Sequence, residues 1–239
     1  RGRPGLAGAR RSIAVNIDGT LNVLQFAAGL PNLSRLVNVS SGSVYAGEGP
    51  EPLPEDGYVE PDGIYPVTKY AAERFTAFAA DELGLPAVSV RLSGVFGPLD
   101  RETAARDVRS APRIIAEKAL AGEPIRVRSF DGAGDFVYAG DVAGAVVSLL
   151  EAGELRYPVY NVAAGVLTTI GELVDAFRVR VNALSAEEVP AGEVDVDYPP
   201  DRRYGRYGVY DIARIQRDAG WHPRPLADTV SEYLDWLGA

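Results

Sequence analysis

Arg35-Leu-Val-Asn-Val-Ser-Ser-Gly-Ser-Val-Tyr-Ala-Gly47 is the stretch on which the fold turns. Leu36 to Val39 is a short apolar run that reads as a buried strand, broken by the small-residue loop Ser40-Ser41-Gly42-Ser43. Upstream, Asn16-Ile-Asp-Gly-Thr-Leu-Asn-Val-Leu24 lies in a helix predicted over Ser12–Ala28, with Val15, Leu21, Leu24 and Ala28 near helical spacing. Downstream, a helix is predicted over Tyr65–Leu83 with Gly84 as its stop, its apolar stripe formed by Val67, Ala71, Phe75, Phe78 and Ala79. Leu85–Pro98 then reads as a second strand ending in a Gly/Pro loop. Residues Glu48–Gly63, with Pro50, Pro52, Pro54 and Pro61, form a loop across the mouth of any site at the strand ends. Helix, strand, helix, strand is a parallel α/β pattern.

The second helix opens on Tyr65-Pro-Val-Thr-Lys69. Residues i and i+4 share one helical face. An ammonium beside a phenol favours the phenolate, so such a tyrosine can trade a proton near neutral pH. A serine at the end of the neighbouring strand can hydrogen-bond the same substrate oxygen. Together these groups suit proton transfer at an alcohol or carbonyl. Y-x-x-x-K alone is common by chance, and an exposed helical pair is the plain alternative. The strand-borne serines give it weight.

The remaining chain continues the pattern. A short helix is expected at Pro112–Ala121 and strands at Pro124–Arg128, Asp135–Tyr138 and Tyr157–Val162. Further helices are expected from Gly140 through Leu150 with Asp141 as N-cap, from Thr168 or Thr169, and in the tail, where His222-Pro-Arg-Pro225 separates two. With 239 residues and 46% hydrophobic content, the chain can bury a sizeable core. A net charge of −9 argues against a nucleic-acid surface. No apolar run approaches bilayer length, and a soluble cytoplasmic protein is the expectation. Zero cysteines exclude disulfides and a cysteine nucleophile, and no spacing suits a metal. The single histidine, His222, reads as a structural loop residue.

From about Asn16 to the C-terminus the sequence resembles the extended short-chain dehydrogenase/reductases, the NAD-dependent epimerase/dehydratase family. The resemblance implies a Rossmann-type, doubly wound parallel sheet with a smaller C-terminal substrate lobe. Residues 1–98 and 136–164 would belong to the dinucleotide-binding domain, and 99–135 and 165–239 to the lobe. It implies NAD or NADP as cofactor, a small sugar-like substrate and a homodimer through the two helices around the serine strand. No strand is followed by a G-x-G-x-x-G turn. The first strands and the phosphate-binding turn are therefore expected to precede Arg1. Without them, the strand Leu36–Val39 would be a sheet edge apolar on both faces.

Carried onto these residues, the resemblance makes Tyr65 the general acid/base, Lys69 its activator and the grip on the nicotinamide ribose, and Ser41 the partner of the substrate hydroxyl. Ser41 is chosen from its place before Val44-Tyr45, with Ser40 and Ser43 as alternatives. Asn16, Ser40, Ser93 and Val95 are further cofactor-side candidates. Ser43, Gly94, Arg203 and Arg206 are substrate-side candidates, although most arginines here read as solvated charges.

Three departures narrow the chemistry. Nucleotide-sugar enzymes usually carry asparagine where Gly94 stands and arginine where Gly134 stands. Losing both removes a donor and a charge from a diphosphate site, each worth more than about 1 kcal/mol. Gly42 and Ser43 replace the acidic pair of the dehydratases, which disfavours elimination. The reading is thus an NAD(P)-dependent oxidoreductase moving hydride at a secondary alcohol or carbonyl. A nucleotide-sugar epimerase is the alternative, and a non-catalytic dinucleotide-binding homologue a second.

Overall fold

The computed structural model describes residues 6–45, 51–101, 109–201 and 208–238. Its first element is a long helical run rather than a simple helix. α1 (Leu6–Ile13) passes through a π turn, Ala14–Asp18, into α2 (Gly19–Ala28). A π turn adds a residue to the helical repeat, so apolar spacing on its two sides falls out of phase. Leu24 and Ala27 are buried, while Val15, expected on the same stripe, faces outward.

β1 (Leu36–Val39) pairs in parallel with β2 (Ala87–Leu92), which pairs in parallel with β7 (Val159–Val162). β2 is the central strand and is buried on both faces. The expected strand Leu85–Pro98 is divided: after Ser93 the chain leaves β7 and resumes as β3 (Gly94–Phe96), parallel to β6 (Phe136–Tyr138). Among the described residues β1 is a sheet edge, flanked by a groove lined by Val15, Val23, Leu24, Leu36, Val37 and Val39.

α3 (Ile64–Leu83) crosses from β1 to β2 and ends at Gly84, whose left-handed backbone (φ 66°) is strained for any side chain. Its buried face differs from the expected stripe. Thr68, Ala72, Glu73, Thr76 and Ala79 point inward, and Val67 and Phe78 are exposed. Small and polar residues allow the close approach of helix to sheet that Val and Phe would prevent.

Beyond the sheet come α4 (Ala111–Ala121), β4 (Ile125–Val127), β5 (Ala133–Gly134) and α5 (Ala139–Glu151), which follows β6. β8 (Thr168–Thr169), α6 (Ile170–Arg178), β9 (Ala186–Glu188), α7 (Ala213–Ala219) and α8 (Leu226–Leu237) complete the chain. Thr169 and Glu172 form a reciprocal capping box at α6. Asp141 is not the N-cap of α5. It lies in the first turn, where its carboxylate accepts from Arg224 N (3.0 Å) and Arg224 Nε (2.6 Å). The tertiary ion pair takes the carboxylate that a local cap would have used.

A small apolar cluster of Leu24, Ala27, Ala79, Leu85 and Ala87 joins α2 to α3, and two larger apolar cores lie beyond it. One joins the sheet to α5 and α7 through Val90, Leu149, Tyr160, Val162, Ile215 and Trp221. The other packs α4, α6 and α8 through Ile115, Ile125, Leu173, Phe177, Val230 and Leu234. No helix among the described residues is long and apolar enough to cross a membrane.

Candidate active site

α3 begins with Ile64-Tyr-Pro. Pro66 occupies its first turn, where a missing N–H removes no helical bond. Tyr65 and Lys69 follow on one face. Lys69 Nζ donates to Val39 O at 2.5 Å, pinning the first turns of α3 to the C-terminal end of β1. Burial penalises the ammonium and lowers the pKa of Lys69, while nearby Glu73 favours the charged form. An ammonium has three donors, so the Val39 bond leaves capacity for a ligand. The Tyr65 side chain is about half exposed, at 52%.

Ser41 lies two residues past β1, in extended backbone (φ −149°, ψ 143°), and caps the single 3₁₀ turn Gly42–Val44. Its Oγ accepts from Ser43 N at 3.2 Å, leaving its hydroxyl proton free to be donated. Ser43 Oγ is buried and makes no hydrogen bond. Ser40, by contrast, has a buried side chain whose hydroxyl donates to Glu73 Oε1 at 2.5 Å. Ser41 and Ser43 are thus both half-buried with an uncommitted hydroxyl proton, Ser43 Oγ itself being enclosed, while Ser40 is engaged by Glu73.

Asn16 lies at the other end of this arrangement. It sits in the π turn, and its Nδ2 donates to Thr68 Oγ1 at 2.9 Å. Thr68 Oγ1 in turn donates to Tyr65 O at 3.0 Å. The first helical run is thereby tied to the backbone of the tyrosine.

Beneath these groups runs a buried polar network. Arg91, near the C-terminal end of β2, donates to both Glu73 carboxylate oxygens (2.8–3.2 Å) and to Glu55 O (2.9 Å). Its guanidinium lies 4.7 Å from the Tyr45 ring centroid. Burial alone would lower the Arg91 pKa, but hydrogen bonds and charge from Glu73 raise it instead. Tyr45 donates to Asn161 Oδ1 at 2.8 Å, and burial pushes its phenol up to about 12. Asn161 N donates to Glu55 Oε1 (2.9 Å), and Asn161 Nδ2 donates to Leu53 O and Asp211 O. Burial also raises the Glu55 carboxyl, against an ion pair with Arg214 at 3.2 Å. The loop segment Leu53–Glu55 is thus anchored from below.

On the other flank, Ser93 Oγ donates to Asp135 Oδ1 at 3.0 Å. Val95 pairs with Val137 and packs on the sheet core. A Cβ on Gly94 would stand 2.9 Å from Asp135 O, which accounts for glycine at that position. Arg203 and Arg206 lie outside the described residues. A separate cavity of about 570 Å³, lined by Tyr138, Asp141, Ile212, His222, Arg224 and Leu226, includes neither Ser41 nor Tyr65 nor Lys69.

Residues 6–163 match the NAD dependent epimerase/dehydratase family. The chain belongs to that family. This epimerase/dehydratase chain is 26% identical over 227 residues, 93% of its length and 69% of the relative's, to a putative UDP-glucose 4-epimerase of Methanocaldococcus jannaschii. It is 25% identical over 195 residues to a dTDP-4-dehydro-6-deoxyglucose reductase of Escherichia coli, covering 81% of the chain and 58% of the relative. It shares its fold, at a TM-score of 0.77 and 24% identity, with a UDP-glucose 4-epimerase of Thermotoga maritima in complex with UDP-glucose. The match covers 96% of the chain and 71% of that structure. Membership makes it an NAD-dependent enzyme of the short-chain dehydrogenase/reductase group with a Rossmann-type sheet.

Sequence reasoning missed the buried groups around these residues: Thr68, Glu73, Arg91 and Asp135. One signal was present. Glu73 in a helix four residues after Lys69, and Arg91 inside an otherwise apolar strand, are opposite charges in elements predicted to pack together.

Proposed function

We propose that the chain carries the proton-transfer and positioning groups of a nucleotide-sugar epimerase. What supports the reading most is a single arrangement: Lys69 bonded to the end of β1, with Tyr65 on the same helical face and Ser41 two residues beyond the strand. An ammonium, a half-exposed phenol and a donating hydroxyl suit a sugar alcohol on one side and a ribose diol on the other. These residues fit the nicotinamide riboside end of the cofactor. When bound, NAD supplies the hydride acceptor and donor. Tyr65 takes the proton of the secondary alcohol as the carbonyl forms and returns it afterwards. Lys69 favours the ionised phenol and grips the ribose hydroxyls, while Ser41 holds the substrate oxygen. Ser93 and Val95 would stand on one side of the nicotinamide, with Asn16, in the π turn, and Ser40, just past β1, supporting the other. Ser43 and Gly94 are proposed for the substrate side, and Arg203 and Arg206 are proposed for the same role from the sequence alone.

Epimerisation now ranks ahead of net oxidation, because epimerases of UDP-sugars recur among the relatives and neighbours. The glycines at 94 and 134 leave the diphosphate fewer side-chain donors, so its recognition falls to backbone groups and to arginines such as Arg203 and Arg206. The lobe is assigned to 99–135 and 165–239, and the sheet domain to 1–98 and 136–164. The exposed Phe26, Val67 and Phe78 on α2 and α3 support a homodimer through these helices. The test uses the full-length enzyme with UDP-glucose, UDP-N-acetylglucosamine and UDP-glucuronate. Wild type should interconvert the C4 epimers without accumulating reduced cofactor, and Tyr65→Phe should lose about 10²-fold or more in kcat. Stoichiometric cofactor reduction would favour the dehydrogenase reading. Full activity in Tyr65→Phe would end both.

A further inference from the structure

Tyr210 is almost fully buried, far from Tyr65 in sequence, and yet it reaches the serine turn. A Cβ built on Gly42 would lie 1.9 Å from Tyr210 Oη, 2.5 Å from Cζ and 2.6 Å from Cε1. The phenol therefore occupies the space of the side chain that position 42 lacks, directly after Ser41. Gly42 and Tyr210 form one packing unit: the turn can close as it does only because one partner is absent and the other fills the gap.

The ring is itself held from three sides. It meets Tyr45 edge-on, with centroids 5.6 Å apart and planes at 74°. Tyr45 is the residue that closes the serine turn, its N–H donating to Gly42 O at 3.0 Å. The Tyr210 backbone pairs with Leu53: Leu53 N donates to Val209 O (2.8 Å) and Asp211 N to Leu53 O (3.0 Å). Tyr210 N donates to Asp135 Oδ2 at 3.2 Å, and the same carboxylate accepts from Ser93 Oγ, Ala164 N and Gly165 N. Tyr210 thus joins two loops: its ring packs on the turn bearing Ser41, and its backbone N–H reaches the Ser93 loop through one buried carboxylate. Burial raises the Tyr210 phenol far above its usual range, so it is a neutral wedge and not a proton carrier.

We propose that Tyr210 is a positioning residue of the reaction, acting through Gly42 to hold Ser41 at the substrate oxygen. The inference rests on the Ser41–Tyr65–Lys69 reading above. It assigns Tyr210 no contact with substrate. Its signature is a loss in kcat with little change in KM, because a displaced serine weakens the transition state more than ground-state binding.

The experiment is a double-mutant cycle in the full-length enzyme, assayed well below the melting point of every variant. Gly42→Ala forces a methyl into the phenol and should lower kcat about tenfold or more, with KM changed less than about threefold. Tyr210→Leu removes the wedge and should lower kcat severalfold. Gly42→Ala with Tyr210→Leu should recover several-fold over Gly42→Ala alone, since the new methyl then has room. If that pair fails to fold, Gly42→Ala with Tyr210→Phe reads the same coupling, because it removes the closest atom, Oη. A folded Tyr210→Leu enzyme with wild-type kcat overturns the proposal, as does a double variant no better than Gly42→Ala. Tyr65→Phe, run alongside, separates the two ideas. If it abolishes turnover while the cycle shows no coupling, only the role of Tyr210 falls. If it leaves turnover intact, the catalytic reading itself falls.

Discussion

The core under the serine turn and the core of α4, α6 and α8 handle charge in opposite ways. Beneath the serine turn, Glu73, Arg91, Glu55 and Asp135 are all buried, each satisfied by several partners. In the core of α4, α6 and α8 the buried side chains are almost all aliphatic or aromatic, and the ion pairs, such as Arg180–Asp235 and Arg126–Asp195, lie on the surface. A buried charge costs several kcal/mol unless paired, and a buried pair contributes less to net stability than apolar residues of the same shape. What the pair adds is direction. Hydrogen bonds fix angles as well as distances, whereas apolar packing tolerates substitution of similar volume. Directional bonds under the site and apolar packing elsewhere match the needs of the two regions.

That contrast can be broken experimentally. Glu73→Ala leaves Arg91 buried without its counter-charge and removes the acceptor of Ser40. It should cost about 3–5 kcal/mol in denaturant unfolding and also lower kcat per folded molecule. Phe177→Ala, in the apolar core, should cost a similar ~3–5 kcal/mol but leave kcat per folded molecule unchanged. Equal activity in the two variants, once corrected for folded fraction, would erase the distinction. Lys69→Arg sharpens it through pH. Burial lowers the Lys69 pKa from its usual 10.5, so the ammonium is present at low pH and lost as pH rises through that lowered value. Wild-type kcat should therefore fall on the alkaline side before pH 10.5. Arginine keeps its charge beyond about pH 12. The variant, whatever its absolute rate, should show that fall displaced upward, and an unmoved alkaline limb would remove Lys69 as its cause. Smallest of all, Arg180→Ala breaks a surface pair and should shift stability by no more than about 0.5 kcal/mol, with kcat unaltered.

Much of the fold was legible from local pattern. The extent of α3 and its glycine stop, the strand of Leu36–Val39 and the start of α6 at Thr169 follow from near-neighbour signals, whereas the apolar stripe expected on α3 did not mark its buried face. The π turn at Asn16 was not legible, because nothing in Ala14–Asp18 distinguishes it from ordinary helix. It accompanies the Asn16–Thr68 bond, a contact across 52 residues. The division at Ser93 was hidden for the same reason. β2 and β3 are contiguous but for Ser93 and read as one strand in sequence; they separate because their partners differ, β7 for one and β6 for the other. For the site, Tyr65, Lys69 and Ser41 stood out as residue types at telling spacings, but their support did not.

From the sequence alone came the alternation of strands and helices and the set of groups able to move a proton, since both depend on side-chain type and near-neighbour spacing. That Ser40 is taken up by Glu73, why position 42 must be glycine, and that the Tyr210 ring fills the space beside it were settled by tertiary structure. Those outcomes depend on which atoms meet across long stretches of chain, where steric exclusion and the need to pair every buried charge act between residues that share no local pattern.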